Sequence, residues 1–207
     1  MTQTDWVVYK TTTMVTPKIL AFAGSLRTAS FNKKLVKVAA EGANAVGAEV
    51  TYLDLRDLPM PLYDQDWFDE HGFPESVLRL KALMKEHHGF LIASPEYNGS
   101  LTGVLKNAID WASRAEPGEA PLALSCFKGK VAAIMATSPG GLGGLRGLAH
   151  LRAILEGVGT LVIPDQKAVP NAYQLFDENG AIKAPEQQEA IAALGATLVE
   201  ITGKLMT

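Results

Sequence analysis

The chain has 207 residues, of which 47% are hydrophobic and 20% are charged, and its formal net charge is −3. This length and composition indicate one globular domain and exclude a disordered or low-complexity polymer. Because the 19 Lys and Arg residues are scattered and outnumbered by 22 Asp and Glu, nucleic acid binding is not expected. Membrane insertion is not expected either, since no stretch approaches the roughly 18 consecutive apolar residues of a spanning helix.

The N-terminus and the cysteine content favour a cytoplasmic protein. Residues 1–16 are rich in threonine and lack the apolar stretch of a secretory signal. We predict a disordered extension there and a single domain over residues 17–207. The lone cysteine, Cys126, has no partner for a disulfide or a Cys-x-x-Cys pair, so it is interpreted as a packing residue in a reducing compartment.

Short apolar runs alternate with longer segments of helical spacing, a pattern typical of a buried parallel sheet with crossover helices. The predicted strands are residues 18–23, 49–54, 89–94, 130–137 and 160–163. Apolar faces predict helices over residues 31–46, 77–87, 101–112, 148–155 and 191–205. The alternation predicts an α/β fold, a three-layer sandwich around a five-stranded parallel sheet. It leaves the flavodoxin-like and Rossmann strand orders open, but in both of them ligands bind beyond the carboxyl ends of the strands.

An anion-binding pattern follows the first strand. Gly24 permits a tight turn, the start of the next helix offers unpaired N–H groups, and Ser25, Thr28 and Ser30 add hydroxyl donors beside Arg27. The pattern predicts a site for a phosphate monoester. The alternative is that Ser30 serves only as a helix N-cap while Arg27 is solvated.

The common nucleotide-binding motifs are absent. Leu26 occupies the second glycine position of Gly-x-Gly-x-x-Gly, and neither Gly-Lys pair of the chain is followed by Ser or Thr. Asp54, after the second strand, is interpreted as a turn residue rather than a ribose-binding acid.

Two further loops favour a planar ligand. Asn98-Gly99 after the third strand forms turns readily, and it presents Tyr97 at the sheet edge, where a flat heteroaromatic ring would fit. Five glycines lie between residues 140 and 147, after the fourth strand, and their backbone can approach a ligand closely. The alternatives are a plain surface turn and a flexible connection. Together the three loops predict a ligand with a phosphate at one end and a ring at the other.

Two motifs resemble those of the NAD(P)H-dependent FMN reductase family, which includes bacterial quinone, chromate and azo-dye reductases. The first is Gly24-Ser25-Leu26-Arg27 with Ser30 and Asn32, and the second is Ser94-Pro95-Glu96-Tyr97-Asn98-Gly99-Ser100 with Leu105-Lys106-Asn107-Ala108-Ile109-Asp110-Trp111. The resemblance covers about residues 17–161. It implies a flavodoxin-like fold of strand order 2-1-3-4-5, non-covalent FMN, and NADPH or NADH as co-substrate.

The resemblance also implies residue roles and a reaction. Matched motif positions assign the phosphate to Ser25, Arg27, Ser30 and Asn32, with Phe31 in the same loop, one side of the ring to Pro95, Glu96, Tyr97 and Asn98, and its other side to the backbone of Ser138, Gly140 and Gly141. Hydride would pass from nicotinamide through flavin N5 to a quinone, azo compound, metal oxyanion or flavin by a ping-pong mechanism. No catalytic side chain and no metal are implied. The alternatives are a flavodoxin-type electron carrier, usually far more acidic than this chain, and a flavin-free binding module.

The resembling enzymes are dimers or tetramers, so a homodimer or homotetramer is expected. Ile109 and Trp111 are expected to stay partly exposed for association, although Trp111 could equally belong to the core. The polar, aromatic stretch of residues 63–73 is interpreted as a lid or subunit contact, or alternatively as a solvated loop.

Overall fold

The computed structural model describes residues 15–206. Most of the predicted N-terminal extension therefore lies outside the described residues, and Val15 and Thr16 are exposed. The five strands form one parallel sheet in the order β2-β1-β3-β4-β5, which confirms the flavodoxin-like order. Their bounds are β1 Lys18–Ala23, β2 Glu49–Leu53, β3 Gly89–Ala93, β4 Val131–Thr137 and β5 Leu161–Val169.

Helices cover both faces of the sheet. Their bounds are α1 Phe31–Ala45, α2 Gln65–His71, α3 Glu75–Glu86, α4 Gly103–Ala112, α5 Leu145–Gly157, α6 Ala172–Leu175 and α7 Pro185–Leu205. Helices α1 and α7 enclose one core with the sheet, while α3, α4 and α5 enclose the other. This is the predicted three-layer sandwich. Within residues 15–206, no helix combines the length and the apolar character that crossing a membrane requires.

The central strands are buried on both faces, and this explains why the sequence shows them as continuous apolar runs. Every residue of β3 and β4 is buried, because helices cover both faces of the sheet. Successive residues point to opposite faces, so Ile19 contributes to the α1/α7 core and Leu20 to the α3/α4/α5 core.

Strand β5 is longer than predicted. It continues from Leu161 through Pro164 to Val169, whereas the sequence prediction ended at Ile163. Proline lacks an N–H and is tolerated because β5 is an edge strand. The register against β4 shifts between Ala132 and Ile134, and the Arg152 guanidinium donates to the Ile163 carbonyl at 2.9 Å.

Helices α1 and α7 cross through two glycines. A Cβ on Gly42 would lie 2.0 Å from the Ala192 carbonyl oxygen, and one on Gly195 would lie 1.9 Å from the Ala39 carbonyl oxygen. Neither neighbour is a flexible side chain that could move aside. The close approach of the two helices therefore requires glycine at both positions.

The predicted partial exposure of Ile109 is wrong, and of the two alternatives for Trp111 the core position is confirmed. Trp111 is 0% exposed and Ile109 is 5% exposed. The stretch of residues 63–73 forms α2 and covers Trp111, whose ring centre lies 4.9 Å from that of Tyr63 and 5.8 Å from that of Phe68. The Trp111 Nε1–H donates to the Pro61 carbonyl at 2.8 Å. The alternative of a solvated loop is therefore wrong, and the interpretation of this stretch as a lid or subunit contact stays a prediction.

Candidate functional site

Three loops meet at the carboxyl edge of the sheet, as the topology requires for neighbouring parallel strands. They are the β1–α1 loop (residues 24–30), the β3–α4 loop (residues 94–102) and the β4–α5 loop (residues 138–144). Strands β1, β3 and β4 are adjacent, so the structure brings the sequence-predicted site residues to one edge.

Backbone bonds and close packing fix the β1–α1 loop. The Gly24 N–H donates to the Ala93 carbonyl at 2.8 Å, and the buried Ser25 Oγ accepts from the Arg27 N–H at 3.3 Å. A Cβ on Gly24 would lie 2.8 Å from the Leu105 Cβ. Glycine therefore allows α4 to pack directly against this turn.

The start of α1 offers uncompensated donors. Ser30 occupies the N-cap position with extended backbone, but its side chain makes no capping hydrogen bond, and the first turn carries no acidic residue. The N-terminal N–H groups and the positive end of the helix dipole are thus free of a side-chain acceptor. The alternative that Ser30 is only an N-cap lacks the hydrogen bond that defines such a cap.

Two arginines lie beside these donors. The Arg27 guanidinium is 5.7 Å from the Phe31 ring centre, and Arg27 forms no ion pair with any residue that the structure describes. The Arg56 guanidinium donates to the Thr28 hydroxyl. Sequence reasoning missed Arg56, because it follows β2 and reaches the loop only through the β1–β2 pairing.

Asn32 has other partners than the implied phosphate. Its buried Nδ2 donates to the Thr137 carbonyl at 2.9 Å, and its Oδ1 accepts from the Thr137 N–H at 3.0 Å. These bonds join the start of α1 to the end of β4, across 105 positions of sequence. We therefore interpret Asn32 as a residue that positions the loops.

Glu96 likewise joins two loops. Its side chain is 8% exposed, Oε2 accepts from the N–H groups of Arg146 at 3.0 Å and Gly147 at 3.1 Å, and Oε1 accepts from Arg146 Nε at 2.7 Å. The carboxylate therefore caps the start of α5, and the contact of Glu96 with a ring, which the resemblance implies, stays a prediction. Burial alone would raise the pKa of Glu96, but the bonds from Arg146 and Gly147 outweigh it and lower the pKa.

A third bridge was not foreseen from the sequence. The buried Thr102 hydroxyl donates to the Gly24 carbonyl at 2.7 Å and accepts from the Leu105 N–H at 3.3 Å. Thr102 thus joins the β1–α1 and β3–α4 loops, as Asn32 joins the start of α1 to the end of β4 and Glu96 joins the β3–α4 loop to α5. Each of the three junctions is thus held by a side-chain hydrogen bond within the protein.

The predicted turn after β3 is confirmed. Asn98 and Gly99 have φ values of 53° and 82°, and Tyr97 and Ser100 exchange N–H···O bonds of 2.9 and 3.1 Å. Asparagine and glycine tolerate such left-handed backbone. The turn follows the half-buried Pro95 and leaves Tyr97 58% exposed at the sheet edge.

Glycines of the β4–α5 loop divide into two kinds. Gly143 and Gly144 have positive φ, and a Cβ on them would lie 2.6 Å from Val169 backbone and from the Ala136 Cβ, respectively. These two hold the loop on the sheet, so the alternative of a flexible connection does not describe them. Gly140 and Gly141 are exposed, and a Cβ on Gly141 would meet nothing within 4 Å. Their backbone, with Ser138 before them, is open to a ligand.

This sheet order and these three loops define a flavodoxin-like protein. The sequence profile described as NADPH-dependent FMN reductase matches residues 17–174, and the chain belongs to this family. It is accordingly an oxidoreductase that uses FMN with NAD(P)H as co-substrate.

Several known proteins are similar to this one over most of the chain. An NAD(P)H-dependent FMN reductase of Pseudomonas aeruginosa is 38% identical over 84% of this chain and 89% of its own. A 2-hydroxy-1,4-benzoquinone reductase of a Burkholderia species is 41% identical over 78% and 80% of the two chains. The solved structure of a flavoenzyme NAD(P)H:(acceptor) oxidoreductase from Paracoccus denitrificans is 30% identical, with a TM-score of 0.75 over 91% of this chain and 98% of its own.

The observed donor set fits FMN. An uncapped helix start beside the unpaired Arg27 suits a phosphate dianion. The exposed Tyr97 and the open backbone at Gly140 and Gly141 suit a planar ring with polar edges.

Proposed function

We propose that this protein oxidises NADPH or NADH and reduces a quinone, with azo compounds, metal oxyanions and free flavins as further acceptors. The proposal rests on the carboxyl edge of the sheet, where Thr102, Asn32 and Glu96 hold three loops together. This places an anion site, formed by the β1–α1 loop and the start of α1, beside an open ring site, formed by Tyr97 and the backbone at Gly140 and Gly141. Relatives named as quinone reductases support the choice of acceptor. When bound, FMN supplies the redox chemistry by taking hydride at N5 and passing it on.

In this proposal the side chains bind and orient. Ser25, Arg27 and Ser30 hold the phosphate with the N–H groups of the first α1 turn, which begins at Phe31. Pro95-Glu96-Tyr97-Asn98 would line one side of the ring, and the backbone of Ser138 with Gly140-Gly141 would line the other. Asn32 and Glu96 support these segments through Thr137 and Arg146.

The same open place is proposed to receive both substrates in turn. Tyr97 and Leu142 are 58% and 53% exposed, so the ring site is accessible to acceptors of different shapes. We expect parallel lines in double-reciprocal plots when NADPH is varied at several quinone concentrations. Intersecting lines would contradict the ping-pong mechanism.

A titration distinguishes the reductase from an electron carrier. The purified protein is expected to be yellow, and anaerobic addition of NADPH is expected to bleach the flavin absorbance, which a quinone then restores. A yellow protein that NADPH does not bleach would be a carrier. A colourless protein that does not take up added FMN would overturn the flavin site itself.

Replacing Arg27 by Ala is expected to weaken FMN binding roughly tenfold, because one charge-assisted contact to the phosphate is lost at an exposed position. Fluorescence titration of the apoprotein with FMN measures the effect. Arg79→Ala is the matched control, since Arg79 is exposed on α3, across the sheet from α1. Equal affinities for the two variants would count against the phosphate assignment.

Replacing Glu96 by Gln is expected to weaken FMN binding about tenfold as well, because the amide offers one acceptor oxygen where the carboxylate bonds Arg146 and Gly147 through two. The pKa of Glu96 is lowered from its ordinary value of 4.5. The carboxylate contribution is thus complete above that value and lost as the pH falls through the lowered pKa. FMN titrations at several pH values should show wild type and variant converging on acidification, and a constant difference would contradict this role.

Association and location are also proposed. We expect a homodimer or homotetramer, supported by Tyr97, Leu145 and Tyr173, which remain 58%, 46% and 69% exposed. A monomer at micromolar concentration in sedimentation would contradict it.

A cytoplasmic location is supported by Cys126, which is buried and whose thiol pKa is raised by burial.

A further inference from the structure

A cavity of about 520 Å³ lies beside the β1–α1 loop, on the far side of the loop from the proposed ring site. Its walls are α1, the end of β2 and residues 179–182, and its lining begins at Thr28 and Ser30. The volume is within the usual range of small-molecule sites, about 300–1,000 Å³. It thus adjoins the proposed FMN phosphate position without being part of the ring site.

The cavity carries an excess of positive charge. Helix α1 contributes Lys33, Lys34 and Lys37 to its lining. Lys33 is paired with Asp54, Nζ to Oδ2 at 2.6 Å, which neutralises both. Lys34 and Lys37 form no ion pair with any residue in the described part of the chain.

The two unpaired ammonium groups are held over aromatic rings instead. Lys34 Nζ lies 5.5 Å from the Phe176 ring centre and 5.8 Å from that of Phe31, and Lys37 Nζ lies 4.7 Å from the Tyr52 ring centre. Cation–π contacts leave the ammonium N–H donors available to an anion. Arg56 is not a lining residue, but its guanidinium donates to the hydroxyl of Thr28, which is one.

We propose that this cavity binds the 2′-phosphoadenosine end of NADPH, with Lys34 and Lys37 on the 2′-phosphate, and that it selects NADPH over NADH. The proposal rests on the proposed function, because a dinucleotide held here must reach the ring site with its nicotinamide end. A phosphate monoester is a dianion that matches two ammonium groups otherwise without a carboxylate. Tyr52 also lines the cavity, and its hydroxyl remains a donor because burial and the nearby Asp54 and Asp57 raise its pKa to about 12.

Glu41 permits a test in which the binding of the phosphate is expected to become stronger rather than weaker. It lines the same cavity one turn beyond Lys37 and forms no ion pair with it in the described structure. A carboxylate there opposes a bound dianion. Removing the charge of Glu41 should therefore strengthen binding, while removing that of Lys34 or Lys37 weakens it.

The experiment is calorimetric titration of the apoprotein and the FMN-loaded protein with 2′,5′-ADP, and with 5′-AMP as the analogue lacking the 2′-phosphate. Wild type is expected to bind 2′,5′-ADP more tightly than 5′-AMP. The double variant Lys34→Gln/Lys37→Gln should lose at least about tenfold in affinity for 2′,5′-ADP, and Glu41→Gln should gain severalfold. Arg79→Gln, on α3, should change nothing.

Kinetics provide the second measurement. The double variant should raise the KM for NADPH about tenfold, and leave the KM for NADH and the FMN affinity unchanged. Equal binding of 2′,5′-ADP and 5′-AMP, an unchanged double variant, or equal rises in both KM values would each overturn the site. If 2′,5′-ADP binds as expected but neither nucleotide reduces FMN, the proposed function fails and the site stands.

Discussion

A Gly195→Ala variant is expected to lose about 3 kcal/mol of unfolding free energy, a large share of the 5–15 kcal/mol typical of a domain. The added Cβ would lie 1.9 Å from the Ala39 carbonyl oxygen and 3.0 Å from the Ala43 nitrogen. Both atoms belong to the backbone of α1, so relief requires α1 and α7 to separate and their shared core to loosen. Urea unfolding followed by circular dichroism measures the change.

Gly203→Ala is the control within the same helix. A Cβ there would lie 3.8 Å from the Pro17 Cγ, which is ordinary contact. Replacing glycine inside a helix then gains about 0.5–1 kcal/mol. The two substitutions should therefore shift the urea midpoint in opposite directions, and a similar shift for both would show that the helix crossing does not require glycine.

The sequence predicts those features of the fold that are encoded by residues close together in the chain. Strands β3 and β4 are buried on both faces, so their apolar runs are continuous and readable. The 97–100 turn is encoded by Asn98 and Gly99 themselves, because these two residues adopt the left-handed backbone that it needs. The strand order is not encoded by neighbouring residues, because the apolar periodicity fits both the flavodoxin-like and the Rossmann order. Only the family motifs choose between the two.

The sequence does not determine features that depend on contacts between distant segments. For Trp111 the sequence leaves partial exposure and the core equally open, because nothing within α4 indicates that Tyr63 and Phe68 cover it. The predicted end of β5 at Ile163 is too early, because Pro164 is acceptable within a strand only at a sheet edge, and the local sequence does not show that β5 is an edge strand.

The site residues also divide into those encoded locally and those that depend on distant partners. Ser25, Arg27 and Ser30 can be predicted from the sequence because a strand, a glycine and a helix start are consecutive in the chain. The resemblance assigns Asn32 and Glu96 to ligand contact, which stays a prediction, whereas their hydrogen-bond partners Thr137 and Arg146 lie 105 and 50 positions away. Sequence motifs identify such residues as important to the site without indicating that they act through the protein backbone.

An Asn32→Ala variant is expected to lose about 2–6 kcal/mol of unfolding free energy even without FMN, because a buried donor and a buried acceptor of Thr137 are each left unpaired at about 1–3 kcal/mol. Urea unfolding of the apoprotein measures this loss. FMN affinity should fall too, since the start of α1 and the end of β4 no longer hold a fixed distance and only part of the population is competent to bind.

Asn32→Asp and Arg27→Ala separate this positioning role from direct phosphate contact. In Asn32→Asp the carboxylate can still accept from the Thr137 N–H but cannot donate to its carbonyl, so the apoprotein should be destabilised. Arg27 has no ion pair in the described structure, so Arg27→Ala should weaken FMN binding and leave the apoprotein stability unchanged. If both Asn32 variants instead unfolded like wild type and lost only FMN affinity, Asn32 would be a phosphate ligand, and the loops would depend on Thr102 and Glu96 alone.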